Sequence, residues 1–93
     1  MAMGDQEAGQ AIRDFDIGLA VKYLRDGGLV ARDGWNGRGM WLALQVPDAN
    51  SKMTRPYVYM KTVDGDLVPW LCSQSDLLAV DWFLVAAQVG EAR

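Results

Sequence analysis

The chain has no histidine and a single cysteine, Cys72. An intrachain disulfide is therefore excluded, a His/Cys metal cluster cannot be assembled, and neither a catalytic triad nor an imidazole base is available. The lone thiol reads as a small buried residue in a reducing compartment. Cations are also scarce, with nine Lys and Arg against twelve Asp and Glu and a formal net charge of −3. Without a Lys/Arg stripe to displace counterions, a nucleic-acid polymer is not the expected partner. Isolated cations, Arg32, Arg38, Arg55 and Lys61, remain able to hold a phosphate or two. No apolar run approaches the length of a membrane span, and the polar, acidic N-terminus is unlike a signal peptide, so a cytoplasmic protein is expected. Neither a metal nor a cofactor is expected.

What is present is apolar surface. Of the 93 residues 51% are hydrophobic and four are Trp, which excludes a disordered chain and bounds the protein to one small domain. So many aromatics in so short a chain point to an oligomer or to a binding surface.

The most distinctive stretch is Gly34, Trp35, Asn36, Gly37, Arg38, Gly39, Met40 and Trp41 in succession. Gly and Asn accept positive φ and permit a tight turn or a close backbone approach. An indole in the middle of such a loop has two readings. It plugs the core as part of a hairpin turn, or it forms a flat wall on a glycine-lined ledge where a planar ligand stacks. From this loop alone the core plug is favoured.

Around it, the pattern predicts one α+β domain over residues 15–87: a small antiparallel sheet, an N-terminal helix packed on it, and a short helical turn before the last strand. Residues 1–14 read as a frayed or weakly helical extension and 88–93 as a tail. Asp16 is a good N-cap for a helix from Ile17 to about Arg25, with Ile17, Ala20, Val21 and Leu24 on one buried stripe and Gly27 and Gly28 at its end. Strands are predicted over 29–32, 40–46 and 57–63. Asp64 and Gly65 then turn the chain into a returning strand at Leu67 and Val68, which Pro69 and Trp70 break. Ser73, Gln74, Ser75 and Asp76 have the form of a capping box that opens the short helical turn, and 81–86 is the final strand.

Few of these residues point to chemistry by spacing alone. Ser73, Gln74 and Asp76 are candidates for ligand contact at a helix N-terminus, yet capping is the commoner use of that pattern. Lys61 either pairs with a phosphate or is a solvated strand lysine. Trp70 and Trp82 are more often core than stacking platform, and Trp41 suits a subunit interface. Asp33 and Asp81 flank Trp-containing segments without forming an acid–base pair. The loop lacks the G-x-G-x-x-G spacing of a nucleotide fingerprint.

Two long segments resemble a known family. The first is Arg32, Asp33, Gly34, Trp35, Asn36, Gly37, Arg38, Gly39, Met40, Trp41 and Leu42. The second begins at Arg55-Pro56. It continues through Met60-Lys61-Thr62, Asp64-Gly65, Val68-Pro69-Trp70 and Ser73-Gln74, and it ends with Asp76-Leu77-Leu78-Ala79 and Asp81-Trp82. Together they are similar to the Thoeris anti-defence 2 family over residues 17–85. The resemblance implies a phage sponge that binds, without cleaving, a cyclic ADP-ribose isomer (glycocyclic ADP-ribose) made by Thoeris TIR proteins. Some members also hold CBASS cyclic oligonucleotides at a separate site. It further implies a homotetramer with the ADP-ribose pocket at a junction between protomers. The ligand-binding residues it implies are Trp35, Asn36, Gly37, Met40, Tyr59, Lys61, Trp70, Ser73, Gln74 and Asp76, with no catalytic residue.

The chain departs from the family pattern at Ile17, where Phe is frequent, and at Tyr57-Val58-Tyr59, which replaces a His-Ile-Asp-like stretch. Tyr59 is placed to supply the ring that Ile17 lacks. The connection over 47–55 is short, and Val80 stands where an acid is usual. Two rival readings are a protein-interaction module that grips a host defence protein and, less favoured, a nucleotide phosphodiesterase or glycohydrolase.

Overall fold

A helix forms over Ile17–Arg25 (α1) because Asp16, in extended backbone, accepts the Leu19 N–H at 3.1 Å and caps the first turn. Lys22 and Arg25 occupy the last turn, where the carbonyl ends carry partial negative charge. The helix stops at Asp26; Gly27 takes φ +93° and the Gly28 N–H closes back on the Tyr23 carbonyl at 2.9 Å. Ala20 and Leu24 are buried, with Ile17, Leu19 and Tyr23 packed beside them. Val21, expected on the stripe, is exposed. The buried arc is centred between Ala20 and Tyr23, which leaves Val21 beyond its rim.

The computed structural model describes residues 12–87. The expected tail over 88–93 and most of the expected N-terminal extension lie outside the described residues. The strands are Arg13–Phe15 (β1), Leu29–Arg32 (β2), Trp41–Gln45 (β3), Tyr57–Lys61 (β4), Leu67–Pro69 (β5) and Trp82–Ala86 (β6); a second helix, Gln74–Leu78 (α2), precedes β6. The sheet order is β1-β6-β2-β3-β4-β5, and every neighbouring pair is antiparallel. This is a small α+β fold.

Three details differ from the sequence reading. Arg13 and Asp14, assigned to the extension, belong to or interrupt an edge strand. β1 pairs with β6 through a bulge at which Asp14 takes φ +65°, a conformation that Asp tolerates better than most residues. Three residues are too few for a period-two pattern to be visible. The strands expected over 40–46 and 57–63 are shorter. The chain turns at once after Lys61, with the Thr62 N–H donating to the Asp66 carbonyl at 2.8 Å and the Gly65 N–H to the Thr62 carbonyl at 2.9 Å. Pro69 does not break the ladder before it forms: it closes β5 opposite Tyr59, and β5 is an edge strand, where a missing N–H is tolerated.

Residues paired directly across strands share a face. The face carrying Val30, Leu42, Leu84 and Trp82 packs against α1, and Val30, Leu42 and Trp82 are fully buried there. The opposite face carries Ala31 beside Phe83, Trp41 beside Lys61, and Ala43 beside Tyr59. Trp41 and Tyr59 meet edge-on there with ring centroids 6.2 Å apart. Among the described residues, no helix is long and apolar enough to cross a membrane.

Candidate functional site around the loop after β2

The chain leaves β2 at Arg32, a charged residue whose strand position turns it toward the core face opposite Trp82. Such a residue needs a partner, and Arg32 has two. Its Nε donates to Asp81 Oδ1 at 2.7 Å and its second nitrogen, Nη1, donates to Asp76 Oδ1 at 2.8 Å. The same carboxylates grip the loop that follows. Asp81 Oδ2 accepts the Gly34 backbone N–H at 2.8 Å, and Asp76 Oδ1 accepts the Trp35 indole N–H at 3.0 Å. Gly34 leaves this network undisturbed: a Cβ there would stand 2.8 Å from Arg32 Nη2 and 2.9 Å from Asp81 Oδ2, so both side chains would have to shift.

Asp76 is held by its own helix as well. The Ser73 hydroxyl accepts the Asp76 N–H at 3.0 Å and so caps α2, while the Asp76 carbonyl accepts the Trp82 indole N–H at 3.2 Å. Burial pushes the Asp76 carboxyl up, but the hydrogen bonds from Trp35, Arg32 and Ser73 outweigh it and leave the pKa below the ordinary carboxylate value. For Asp81 the hydrogen bond from Arg32 lowers the pKa, burial opposes it, and the Gly34 N–H lowers it further. Arg32 is raised by its bonds to Asp81 and Asp76. Both carboxylates are thus ionised at neutral pH and fully committed to Arg32 and the loop, which leaves neither suited to donate a proton to a substrate.

Beyond this anchor, Trp35, Asn36, Gly37, Arg38, Gly39 and Met40 curve over Arg32, Asp33, Ala31 and Phe83 to enclose an open recess of about 500 Å³. That is the size range of small-ligand sites, roughly 300–1,000 Å³. Gly39 takes φ +74°, and its carbonyl accepts a hydrogen bond from Lys61 Nζ at 2.9 Å, which brings the β4 lysine to the lip of the loop. Trp35 is half-buried, packed on the core cluster, and meets Trp82 edge-on at 5.5 Å. The indole is thus fixed against the core, as the core-plug reading expects, and Trp35 is also among the residues around the recess.

The structure thus brings Trp35, Asn36, Gly37 and Met40 together, with Lys61 at the edge. Trp70 instead lines a neighbouring apolar recess of about 490 Å³ with residues that include Met53, Arg55, Pro56, Tyr57 and Pro69. Tyr59 lines a smaller one of about 170 Å³ on β4 and β5. Ser73 caps α2, Gln74 is exposed at its start, and Asp76 is buried beneath the loop. Cys72, expected to be buried, is exposed in the irregular segment before α2. Arg32 and Asp81 were missed as a pair. They lie far apart in the chain, and the only signal was a cation at an inward strand position.

The Thoeris anti-defense 2-like domain family matches residues 15–85, which run from the last residue of β1 into β6 and include both helices and the whole loop. The chain belongs to this family. It is also 34% identical over 83 residues to the Thoeris anti-defense 2 protein of Bacillus phage SP01, an alignment that covers 75% of this chain and 93% of the phage protein.

Proposed function

We propose that the chain is an anti-defence sponge: it binds glycocyclic ADP-ribose in the recess of the loop after β2 and withholds it, uncleaved, from the host's Thoeris effector. Family membership supports the anti-defence role. The observation that carries the ligand reading is the recess itself, whose lining includes Trp35, Gly37, Arg38 and Gly39, with Lys61 bonded to the Gly39 carbonyl. An adenine stacks on such a ring, and a diphosphate is drawn to the cations and to the N–H groups of the Gly37–Gly39 turn. Sequestration needs no proton transfer, and the acid that lines the recess, Asp33, is paired with Arg13. CBASS cyclic oligonucleotides are the next ligands to test, and the protein is proposed to act in the host cytoplasm.

The protein is further proposed to be a homotetramer whose pocket is completed across a protomer junction. Leu71, Leu78 and Val80 are at least 70% exposed around α2, and the expected residues Tyr59, Trp70, Ser73 and Gln74 lie outside the loop recess. An apolar cluster of that kind usually marks a contact surface. The same cluster favours the second reading, a protein-interaction module that blocks a host defence protein directly.

One experiment separates these readings. The purified protein is incubated with glycocyclic ADP-ribose, freed of unbound ligand, heated, and its supernatant analysed by mass spectrometry. Intact ligand released in amounts matching the protein supports the sponge. Turnover products support an enzyme, and the absence of any retained nucleotide, with a host protein co-purifying, supports the interaction module.

A further inference from the structure

The network under the loop has a feature that capping and packing do not require. The carboxylates of Asp76 and Asp81 each hold Arg32 and, at the same time, one group of the loop that makes the recess: the Trp35 indole N–H and the Gly34 backbone N–H. Neither carboxylate lies among the residues that line that recess. Asp76 is buried, and its Oδ1 already accepts two hydrogen bonds. Arg32 is the tie between them, its side chain 16% exposed and bonded to both acids. The backbone adds a further link, as the Asp33 N–H donates to the Asp81 carbonyl at 3.1 Å.

We infer that Asp76 and Asp81, tied together by Arg32, are positioning residues for ligand recognition, which fix the angle of the Trp35 ring from beneath the loop, the two carboxylates standing outside the recess that Arg32 helps to line. This rests on the loop recess being the ligand site, and it reassigns Asp76 from a contact to a support. A stacking ring is useful only if it is held in place before the ligand arrives, because ordering it on binding subtracts from affinity. Hydrogen bonds to an ionised carboxylate are the stronger kind, and two of them act on consecutive residues, Gly34 and Trp35. The indole of Trp82 is held differently, by the Asp76 backbone carbonyl, and supplies an internal reference.

The test uses the full chain, labelled with nitrogen-15, and reads two quantities in each variant. These are solvent exchange of the Trp35 and Trp82 indole N–H in the free protein, and the dissociation constant for glycocyclic ADP-ribose. Asp81→Ala removes the acceptor of two Arg32 bonds and of the Gly34 N–H and so loosens the loop that carries Trp35. The Trp35 indole is then expected to exchange about tenfold faster and affinity to fall about tenfold, while Trp82 exchange stays put. Asp81→Asn, which keeps an oxygen acceptor, is expected to recover part of both. Trp35→Phe keeps a ring but loses the bond to Asp76, and it is expected to weaken binding with little change in thermal midpoint. That variant decides the matter should Asp81→Ala fail to fold.

Wild-type exchange at Trp35 in Asp81→Ala, or wild-type affinity in both Asp81→Ala and Trp35→Phe, would overturn the inference. Equal acceleration of Trp35 and Trp82 would do so too, since it would mean general loosening. If the wild-type protein does not bind the probe, the sponge reading falls and this inference with it as a statement about recognition. The exchange ratios then still report whether the segment anchors the loop.

Discussion

Trp35 and Trp82 meet edge to face, with ring centroids 5.5 Å apart and planes at 79°, joining the loop after β2 to the most deeply buried side chain of β6. Trp70 also meets Trp82, at 6.1 Å and a similar angle. Trp82 is thus the hub of an aromatic cluster whose outer members reach two different recesses. Trp82→Ala is expected to cost about 3–5 kcal/mol, since it removes transfer energy and leaves a cavity. Urea denaturation checks this: a lower midpoint at an unchanged slope is the expected result.

Trp35→Ala separates the two duties of the loop indole. The ring is only half-buried, so its removal is expected to cost about 1–3 kcal/mol, less than Trp82→Ala, and to leave a folded protein. Ligand binding is expected to be lost altogether. Circular dichroism melts and titration on the same sample read both effects.

Acid is expected to weaken the fold by way of Asp76 and Asp81. Their folded-state pKa values lie below the ordinary carboxylate value. A depressed carboxylate pKa contributes stability that is fully present above the unfolded-state value and disappears as pH falls through the folded-state value. Thermal midpoints should therefore hold from neutral pH down to the ordinary carboxylate range and drop as pH falls below it. In Asp81→Asn the midpoint at neutral pH should be lower and the drop shallower.

Lys61 is expected to matter for affinity and little for folding. It is half-buried and makes one hydrogen bond, to the Gly39 carbonyl, which contributes modestly to stability. Lys61→Met should shift the thermal midpoint slightly, weaken binding of a diphosphate ligand by roughly tenfold, and flatten the dependence of affinity on salt. Titrations at two ionic strengths check this.

Much of the fold was legible because the local signals agree with one another. Asp16 and Ser73 cap α1 and α2 as read, and the alternation around Leu42 and Ala43 correctly announced a strand apolar on both faces. β1 was hidden because three residues with a bulge show no periodicity. The loop was recognised as special from Trp35 set among Gly34, Asn36, Gly37 and Gly39. How it is held was not legible, because the partners are Asp76 and Asp81, whose distance from Trp35 in the sequence gives no pattern. Cys72 was misread for a similar reason: its exposure depends on the irregular path between β5 and α2, which no period encodes.

The proposed function requires the chain to hold a cyclic ADP-ribose signal at the loop recess and to return it unchanged. Isothermal titration of the full chain with glycocyclic ADP-ribose, in parallel with Trp35→Ala and followed by mass analysis of the recovered ligand, tests it most directly. Saturable binding by the wild type, loss of that binding in Trp35→Ala, and an unaltered ligand mass are the predicted result. No heat of binding in the wild type, or binding that survives Trp35→Ala, would contradict the account.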